Sequence, residues 1–432
     1  MKHRREILAI AIPAIVTNIT TPLLSLVDVA VTGHIGDAVY IGAIALGGTL
    51  FNTLYWLFNF LRMGTTGLTA QAYGAAGRDS RERDIILFRS LAVGLLVGLA
   101  LLMLSPFTGN TVLSFMDSDD NTKRLAMQYF RILIWGAPAV MLTYGLSGWF
   151  LGMQDSRAQM WMAITTNVVN IAVSPALVFG FGMNIAGVAI GTLVAQWTGL
   201  GVGAVIAWRR YRPRFPGLSA IFKADELLKF FRINTDIFLR TACLVAVTLW
   251  FTHAGALQGT DILAANALLL QLFMLFSYFM DGFAFAGEAL AGKYAGLGDS
   301  RSLSSLIRSL MRIGLVFAVI FSILYFFVGE EVLRLLAEDV HVVETARSYV
   351  AFAALVPLCG FMAFVWDGIF VGLVRTRAML LSMAGAIAVF FIIYFAAHRS
   401  AGNSALWAAF NAYLLMRGVL EYLFYRFKRP AV

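Results

Sequence analysis

The feature that most constrains this chain is a series of apolar runs, each long enough to cross a lipid bilayer. A transmembrane helix needs about 20 predominantly apolar residues to cross about 30 Å of hydrocarbon. Runs of this length recur along all 432 residues, separated by charged or Gly/Pro-containing breaks. Six lie at 7–31, 40–62, 85–105, 127–151, 160–181 and 186–208, and six more at 229–253, 262–286, 304–328, 346–372, 378–397 and 403–425. We therefore predict an all-α polytopic membrane protein with twelve transmembrane helices.

The composition excludes an ordinary soluble protein. Hydrophobic residues make up 60% of the chain and charged residues 13%, which leaves too little polar material to cover a globule. The two cysteines, Cys243 and Cys359, lie in apolar runs and resemble small buried side chains rather than a disulfide pair or metal ligands. We expect no resident metal and no organic cofactor.

Basic residues are concentrated in alternate loops. With the N-terminus in the cytoplasm, the inner loops carry most of the Lys and Arg residues, as the positive-inside rule requires. The outer loops carry only Lys123, Arg124, Arg334, Arg347 and Arg399. This pattern accounts for the net charge of +9 without a nucleic-acid partner. It predicts a multi-pass protein of a bacterial inner membrane with both termini cytoplasmic and no cleaved leader.

Two stretches of the first half recur in the second half. Segment 150–158 matches 370–378, with Phe, Gly, Arg and Ala at the same places, and segment 70–77 resembles 291–298. An inner connector rich in Arg and Pro separates the halves. We predict an N-lobe over 1–208, a connector over 209–228 and a C-lobe over 229–432. Because each copy has an even number of spans, the repeats are parallel, which predicts two six-helix lobes in a V-shaped arrangement around a central cleft.

The first helix carries a carboxylate at membrane depth, where ionisable side chains mark functional candidates. Asp28 is followed by further apolar residues, and Pro13 and Pro22 can kink the helix and hold the side chain deeper. A buried carboxyl group of this kind can exchange a proton near physiological pH. The alternative is an Asp at the outer end of the helix that contacts headgroups or water.

The fifth and sixth spans add a polar stripe. Asn167, Asn170 and Ser174 share one face of the fifth span, and Thr192 and Gln196 lie four residues apart in the sixth. Facing Asp28, this stripe would supply donors to the ionised carboxylate. The alternative is a set of hydrogen bonds that only hold helices together.

The second half has its own charged residues within spans. Asp281 and Glu288 share a face of the eighth span, Arg240 in the seventh could neutralise one of them, and Asp367 lies in the tenth. These residues either contact substrate or lock neighbouring helices as ion pairs. Arg62, at the inner end of the second span, is favoured as an anchor or buried charge partner, and a substrate contact is the alternative.

Three segments together resemble the multidrug and toxic compound extrusion (MATE) family, in its DinF-type branch. They are 22–34, 61–74 with its Arg-Met-Gly-Thr-Thr-Gly-Leu-Thr-Ala-Gln run, and 281–288. The resemblance implies a twelve-helix antiporter that exports hydrophobic, often cationic compounds by alternating access in exchange for H⁺ or Na⁺. It further implies a monomer in the lipid bilayer with small-molecule substrates.

The resemblance also implies roles for individual residues. Asp28 corresponds to the family's coupling carboxylate, Asn170 and Thr192 to its neighbours, and Asp367 to a carboxylate implicated in sodium-coupled members. The family pattern has a second Asp where this chain has Ser174. One carboxylate suffices for a proton but holds a dehydrated cation less well, so H⁺ is favoured over Na⁺.

Other functions remain as alternatives. A flippase for a lipid-linked or amphipathic substrate is the alternative within transport, and an ion channel is a further one. A membrane-embedded enzyme or a nucleotide-driven pump would need a catalytic or phosphate-binding motif, and none is present in the sequence. The only cluster of Asp residues, Asp117, Asp119 and Asp120, is interpreted as a solvated outer turn.

Overall fold

The computed structural model describes residues 2–34, 38–76, 81–114, 119–336 and 339–427, and every regular element in these ranges is helical. Asp117 of the acidic turn lies outside them. The helices before the connector are α1 (Lys2–Gly33), α2 (Ala38–Leu57), α3 (Phe60–Ala76), α4 (Arg81–Ser114), α5 (Asp120–Leu133), α6 (Ala137–Gly152), α7 (Ser156–Pro175) and α8 (Asn184–Tyr211). Those that follow are α9 (Leu218–Ile221), α10 (Ala224–Ala256), α11 (Thr260–Gly296), α12 (Ser300–Leu336), α13 (Val340–Arg347), α14 (Val350–Gly372) and α15 (Thr376–Phe427).

Each predicted span falls on helix. Ten described stretches are long and apolar enough to cross a membrane. To these α1 adds a further helix of 32 residues, and α15 contains two helices that meet at Gly402, where φ is 50°. The prediction of an all-α protein with twelve spans is thereby confirmed.

Several spans consist of two helical segments, and the apolar pattern of the sequence does not reveal the breaks between them. The second span, predicted as one run, breaks at residues 58–59 between α2 and α3. The fourth contains a 3₁₀ turn at Ile134–Gly136, just before Pro138. The fifth continues past Pro175 as a π-helical turn over Ala176–Gly180. Such irregularities in a membrane helix are characteristic of Pro positions and functional regions.

The internal repeat appears as repeated geometry. Gly148 in α6 and Gly368 in α14 lie so close to a neighbouring helix that a Cβ would overlap the carbonyl oxygen of Arg62 in α3 and of Ala284 in α11, respectively. Each glycine is followed four residues later by a second one in similar contact. Small residues at this spacing allow membrane helices to pack backbone against backbone.

The turns after these two helices also match. Gln154 and Val374 both adopt a positive φ, of 65° and 55°. The same backbone hydrogen bond of 2.9 Å closes both turns, from Asp155 N to Phe150 O and from Arg375 N to Phe370 O. The sequence match between 150–158 and 370–378 therefore reflects a conserved three-dimensional unit.

The chain divides into two compact units. The N-terminal unit comprises Ile12–Phe230, and the C-terminal unit comprises Phe231–Val432 together with Met1–Ala11. In the C-terminal unit, the start of α1 is fastened to the end of α11, because the Tyr294 hydroxyl donates to Glu6 Oε2 (2.7 Å). The lobe limits at 208 and 229 stay a prediction.

The connector is fastened to the N-terminal unit by buried charges. Arg89 Nε donates to the carbonyl oxygen of Ile221 (3.0 Å), and the Arg214 amide donates to Asp84 Oδ2 (3.0 Å). Asp155, which caps α7, also accepts hydrogen bonds from the end of α8. These bonds hold the connector end of the unit together.

Candidate coupling site

The site is built around Asp28, near the end of α1. Its side chain is only 4% exposed. About two turns before it, α1 is tied to α7, because Asn167 Nδ2 donates to the Thr20 carbonyl oxygen (2.8 Å) close to Pro22. The Thr32 hydroxyl donates to the Asp28 carbonyl oxygen. The carboxyl group is therefore held in the interior of the N-terminal unit rather than among headgroups.

Donors from two other helices meet the carboxylate. Asn170 Nδ2 in α7 lies 3.2 Å from Asp28 Oδ1, and the Thr192 hydroxyl in α8 lies 3.1 Å from Asp28 Oδ2. Asn170 Nδ2 also lies 2.9 Å from Thr192 Oγ1. The structure thus brings together the polar residues of three helices that the sequence singled out.

Ser174 completes this cluster, and a glycine makes room for it. The Ser174 hydroxyl accepts from Asn170 Nδ2 (3.1 Å), one turn earlier on α7. On α8, a Cβ at Gly191 would overlap Ser174 Oγ and lie 2.7 Å from its Cα. Gly191 therefore sets the close approach of α7 and α8 that places Thr192 against Asp28.

The phenol of Tyr129 in α5 is a third partner of Asp28. It forms side-chain hydrogen bonds with Asp28 and with Thr192 and is buried. Within the described part of the chain, Asp28 has no Lys or Arg side chain as an ion-pair partner. The carboxylate is thus stabilised by neutral donors alone, so its negative charge is not cancelled by a fixed cation.

These neutral partners can serve both protonation states of the carboxyl group. The Thr192 hydroxyl has one hydrogen but two acceptors, Asp28 Oδ2 and the Val188 carbonyl oxygen at 3.1 Å. It can donate to the ionised carboxylate or to its own helix when Asp28 is protonated. Asn170 offers amide donors and has a buried Oδ1 without a donor among the described residues. The arrangement can therefore bind and release a proton while the carboxyl group keeps hydrogen-bond partners in both states.

Two other predicted residues of this unit lie elsewhere on the helices. Gln196 packs against Gly136, at the 3₁₀ turn between α5 and α6. Arg62 is buried, and its Nε donates to Asn59 Oδ1 (3.2 Å) beside the break between α2 and α3. Its backbone carbonyl oxygen faces Gly148. Arg62 thus lies where α3 and α6 pack backbone against backbone.

The C-terminal unit contains a second cluster of charges. Arg240 NH2 in α10 and Arg417 NH2 in α15 both donate to Asp367 Oδ2 in α14. The structure thus pairs Arg240 with Asp367, rather than with the expected carboxylates of α11. Of those, Asp281 is half-buried and Glu288 is buried.

Arg417 and Glu421 were missed by sequence reasoning, as was Tyr129. Arg417 and Glu421 lie four residues apart within the last apolar span and are both fully or almost fully buried. A pair of opposite charges at this spacing inside a span is a detectable signal. Tyr129 has no such signal, because an aromatic residue in a membrane helix usually contacts lipid or core.

Comparisons with known proteins agree with this architecture. The family model described as MatE matches residues 13–176 and 236–397. DNA damage-inducible protein F of Escherichia coli (strain K12) is 35% identical over 414 residues, which cover 95% of this chain and 89% of that protein. Protein DETOXIFICATION 44, chloroplastic, of Arabidopsis thaliana is 24% identical over 426 residues, covering 95% and 80%. A solved structure described as the outward-facing conformation of a multidrug resistance MATE family transporter of the MOP superfamily shares the fold, with a TM-score of 0.87, 16% identity and coverage of 98% and 95%.

Proposed function

This chain belongs to the MatE family and is a multi-pass membrane transporter, not an enzyme, and we propose that it exports small hydrophobic, often cationic compounds in exchange for protons. The fold supports transport across the bilayer without a cofactor. The substrate class is supported by the family and by the multidrug resistance transporter whose solved structure shares the fold.

The observation that carries the proposal is the burial of Asp28 among neutral hydrogen-bond partners. It is a buried carboxyl group whose partners are two hydroxyl groups and one amide from α5, α7 and α8. Because none of these partners carries a charge, adding or removing a proton changes the net charge of the site. Protonation also redirects the hydrogen bonds of Thr192 and Asn170, which connects proton binding to the packing of α1 against α7 and α8.

Antiport requires that the proton and the substrate favour different conformations. A ligand with equal affinity for both states shifts no equilibrium. In the proposed cycle, Asp28 takes up a proton from outside, the packing around it changes and substrate is released outside. Release of the proton inside then restores the conformation that binds substrate.

The choice of proton over sodium depends on how much negative charge the cluster around Asp28 carries. The cluster holds one carboxylate, because Ser174 stands where the family pattern has Asp. Its remaining oxygen ligands are neutral, so a dehydrated Na⁺ would be weakly held compared with a site of two carboxylates. The proposed location is a bacterial inner membrane with cytoplasmic termini, and the proposed state is a monomer. The excess of basic residues in the predicted inner loops supports the orientation.

Everted membrane vesicles in sodium-free buffer test the proposal. With a preformed pH gradient, addition of a lipophilic cation should dissipate the gradient for the wild type but not for Asp28→Asn. Asp261→Asn, an exposed residue at the start of α11, is the matched control and should behave as the wild type. Equal responses of the wild type and Asp28→Asn would refute the role of Asp28, and a response that requires sodium would refute proton coupling.

A further inference from the structure

Glu421 in α15 has a carboxyl group that accepts no hydrogen bond from the residues that the structure describes. Its side chain is fully buried. Among the described residues, no N–H or O–H group donates a hydrogen bond to Oε1 or Oε2. An ionised carboxylate in such surroundings would lose its hydration and gain no hydrogen bonds in return. The geometry therefore favours the protonated form.

The Glu421 side chain does contact another carboxyl group. The carboxyl group of Asp367 in α14 lies beside that of Glu421, close enough for a hydrogen bond between the two. Two carboxyl groups form such a bond only when one of them carries a proton. Both guanidinium groups donate to Asp367 Oδ2, whereas Oδ1 has no described donor. A proton on Glu421, donated to Oδ1 of Asp367, would satisfy both groups.

The remaining charged and titratable neighbours are Arg240 on α10 and Arg417 and Tyr413 on α15. With Glu421 protonated, two guanidinium groups face one carboxylate, and the cluster has a net charge of +1. Loss of the proton makes the cluster neutral and creates an acceptor four residues after Arg417, the spacing of an intrahelical ion pair. The Nε atoms of Arg240 and Arg417 have no described acceptor, so donors remain for the new carboxylate.

We propose that Asp367 and Glu421 form a second proton-binding site, in the C-terminal unit, where loss of the proton from Glu421 moves Arg417 from Asp367 to Glu421. In the protonated state, one oxygen of Asp367 ties together α10, α14 and α15. In the deprotonated state, α15 pairs its arginine within the helix, and the connection between α14 and α15 weakens. Proton binding at this site would thus change how these helices are held, independently of Asp28.

Infrared spectroscopy of the full-length protein in lipid nanodiscs tests this proposal. The background is Asp28→Asn, which removes the other proposed proton site. As the pH is raised, the carbonyl-stretch band of a protonated carboxylic acid should disappear. Adding Glu421→Gln should abolish this titrating band. Adding Glu344→Gln, an exposed residue of α13, should leave it unchanged.

A second variant tests the pair rather than Glu421 alone. Asp367→Asn leaves Glu421 as the only carboxylate facing two guanidinium groups, so Glu421 should ionise and the band should be absent at a pH where the Asp28→Asn background still shows it. Gln at 421 has the shape of the protonated acid, so Glu421→Gln should keep the wild-type unfolding temperature. A band that persists with Glu421→Gln would overturn the proton site, and one that persists with Asp367→Asn would overturn the pair. Neither result depends on the vesicle assay of Asp28.

Discussion

Replacement of Gly191 by Ala tests the packing that forms the coupling site. A Cβ at this position would overlap Ser174 Oγ and lie 2.7 Å from Ser174 Cα and 2.8 Å from Ser174 N. Two of these three atoms are backbone, which cannot rotate out of the way. The α7 and α8 backbones must therefore separate at Ser174, and Thr192, the next residue on α8, moves relative to Asp28.

The magnitude follows from two opposing effects. Overpacking of a close contact costs about 1–3 kcal/mol, whereas replacing Gly by Ala within a helix gains about 1 kcal/mol. Gly201, also in α8, has nothing within 4 Å of its Cβ position, so Gly201→Ala keeps the gain without the cost. The two variants should therefore differ in stability by about the overpacking cost alone, 1–3 kcal/mol, with Gly191→Ala the less stable.

Thermal unfolding of both variants in the same detergent, at one scan rate, measures this difference. In the vesicle assay, Gly191→Ala should also respond less to substrate than Gly201→Ala at equal expression. If the two variants unfold at the same temperature and transport equally, the close approach of α7 and α8 does not position Thr192, and the reasoning is refuted.

Three further predictions concern single contacts. Tyr129→Phe removes one donor to Asp28, so the pH dependence of transport should shift while expression is unchanged; an identical pH profile would contradict the contact. The Asp119 carboxyl accepts from Thr122, which holds its pKa below the ordinary value, so the stability it gives α5 is present at neutral pH and is lost as the pH falls below about 4. The hydrogen-exchange protection factors of the first turn of α5 should fall there for the wild type but not for Asp119→Ala. Asp155→Ala removes the α7 cap and the acceptor for two side chains of α8, and should cost about 2–3 kcal/mol in a detergent unfolding series, whereas a loss within error would refute this role.

The helices were predictable because the bilayer imposes one length and one polarity on every span. The candidate coupling residues Asp28, Asn170 and Thr192 were predictable for a related reason. Polar residues are rare inside spans, so the few present stand out, and helical spacing shows which of them share a face. The resemblance to the MATE family, confirmed by the comparisons, strengthened the choice.

The remaining features depend on contacts between distant parts of the chain. Gly191 matters because Ser174 of another helix approaches it. The chain has 39 glycines, and nothing in the sequence distinguishes the one that makes this contact. The partner expected for Arg240 was a carboxylate of the adjacent span, whereas the structure pairs it with Asp367. Helix rotation decides such pairings, and an apolar run does not reveal rotation. The break in the second span was not predicted because residues 58–59 contain no charge, Gly or Pro that would signal the end of a helix.

The central claim is that substrate and proton compete through Asp28. Addition of a lipophilic cation to purified protein in weakly buffered, sodium-free detergent solution should release protons, detected as acidification with a pH indicator. The wild type and Asp261→Asn should release protons on substrate binding, and Asp28→Asn should bind substrate without this release. Substrate binding without acidification in the wild type, or equal acidification with Asp28→Asn, would contradict the account.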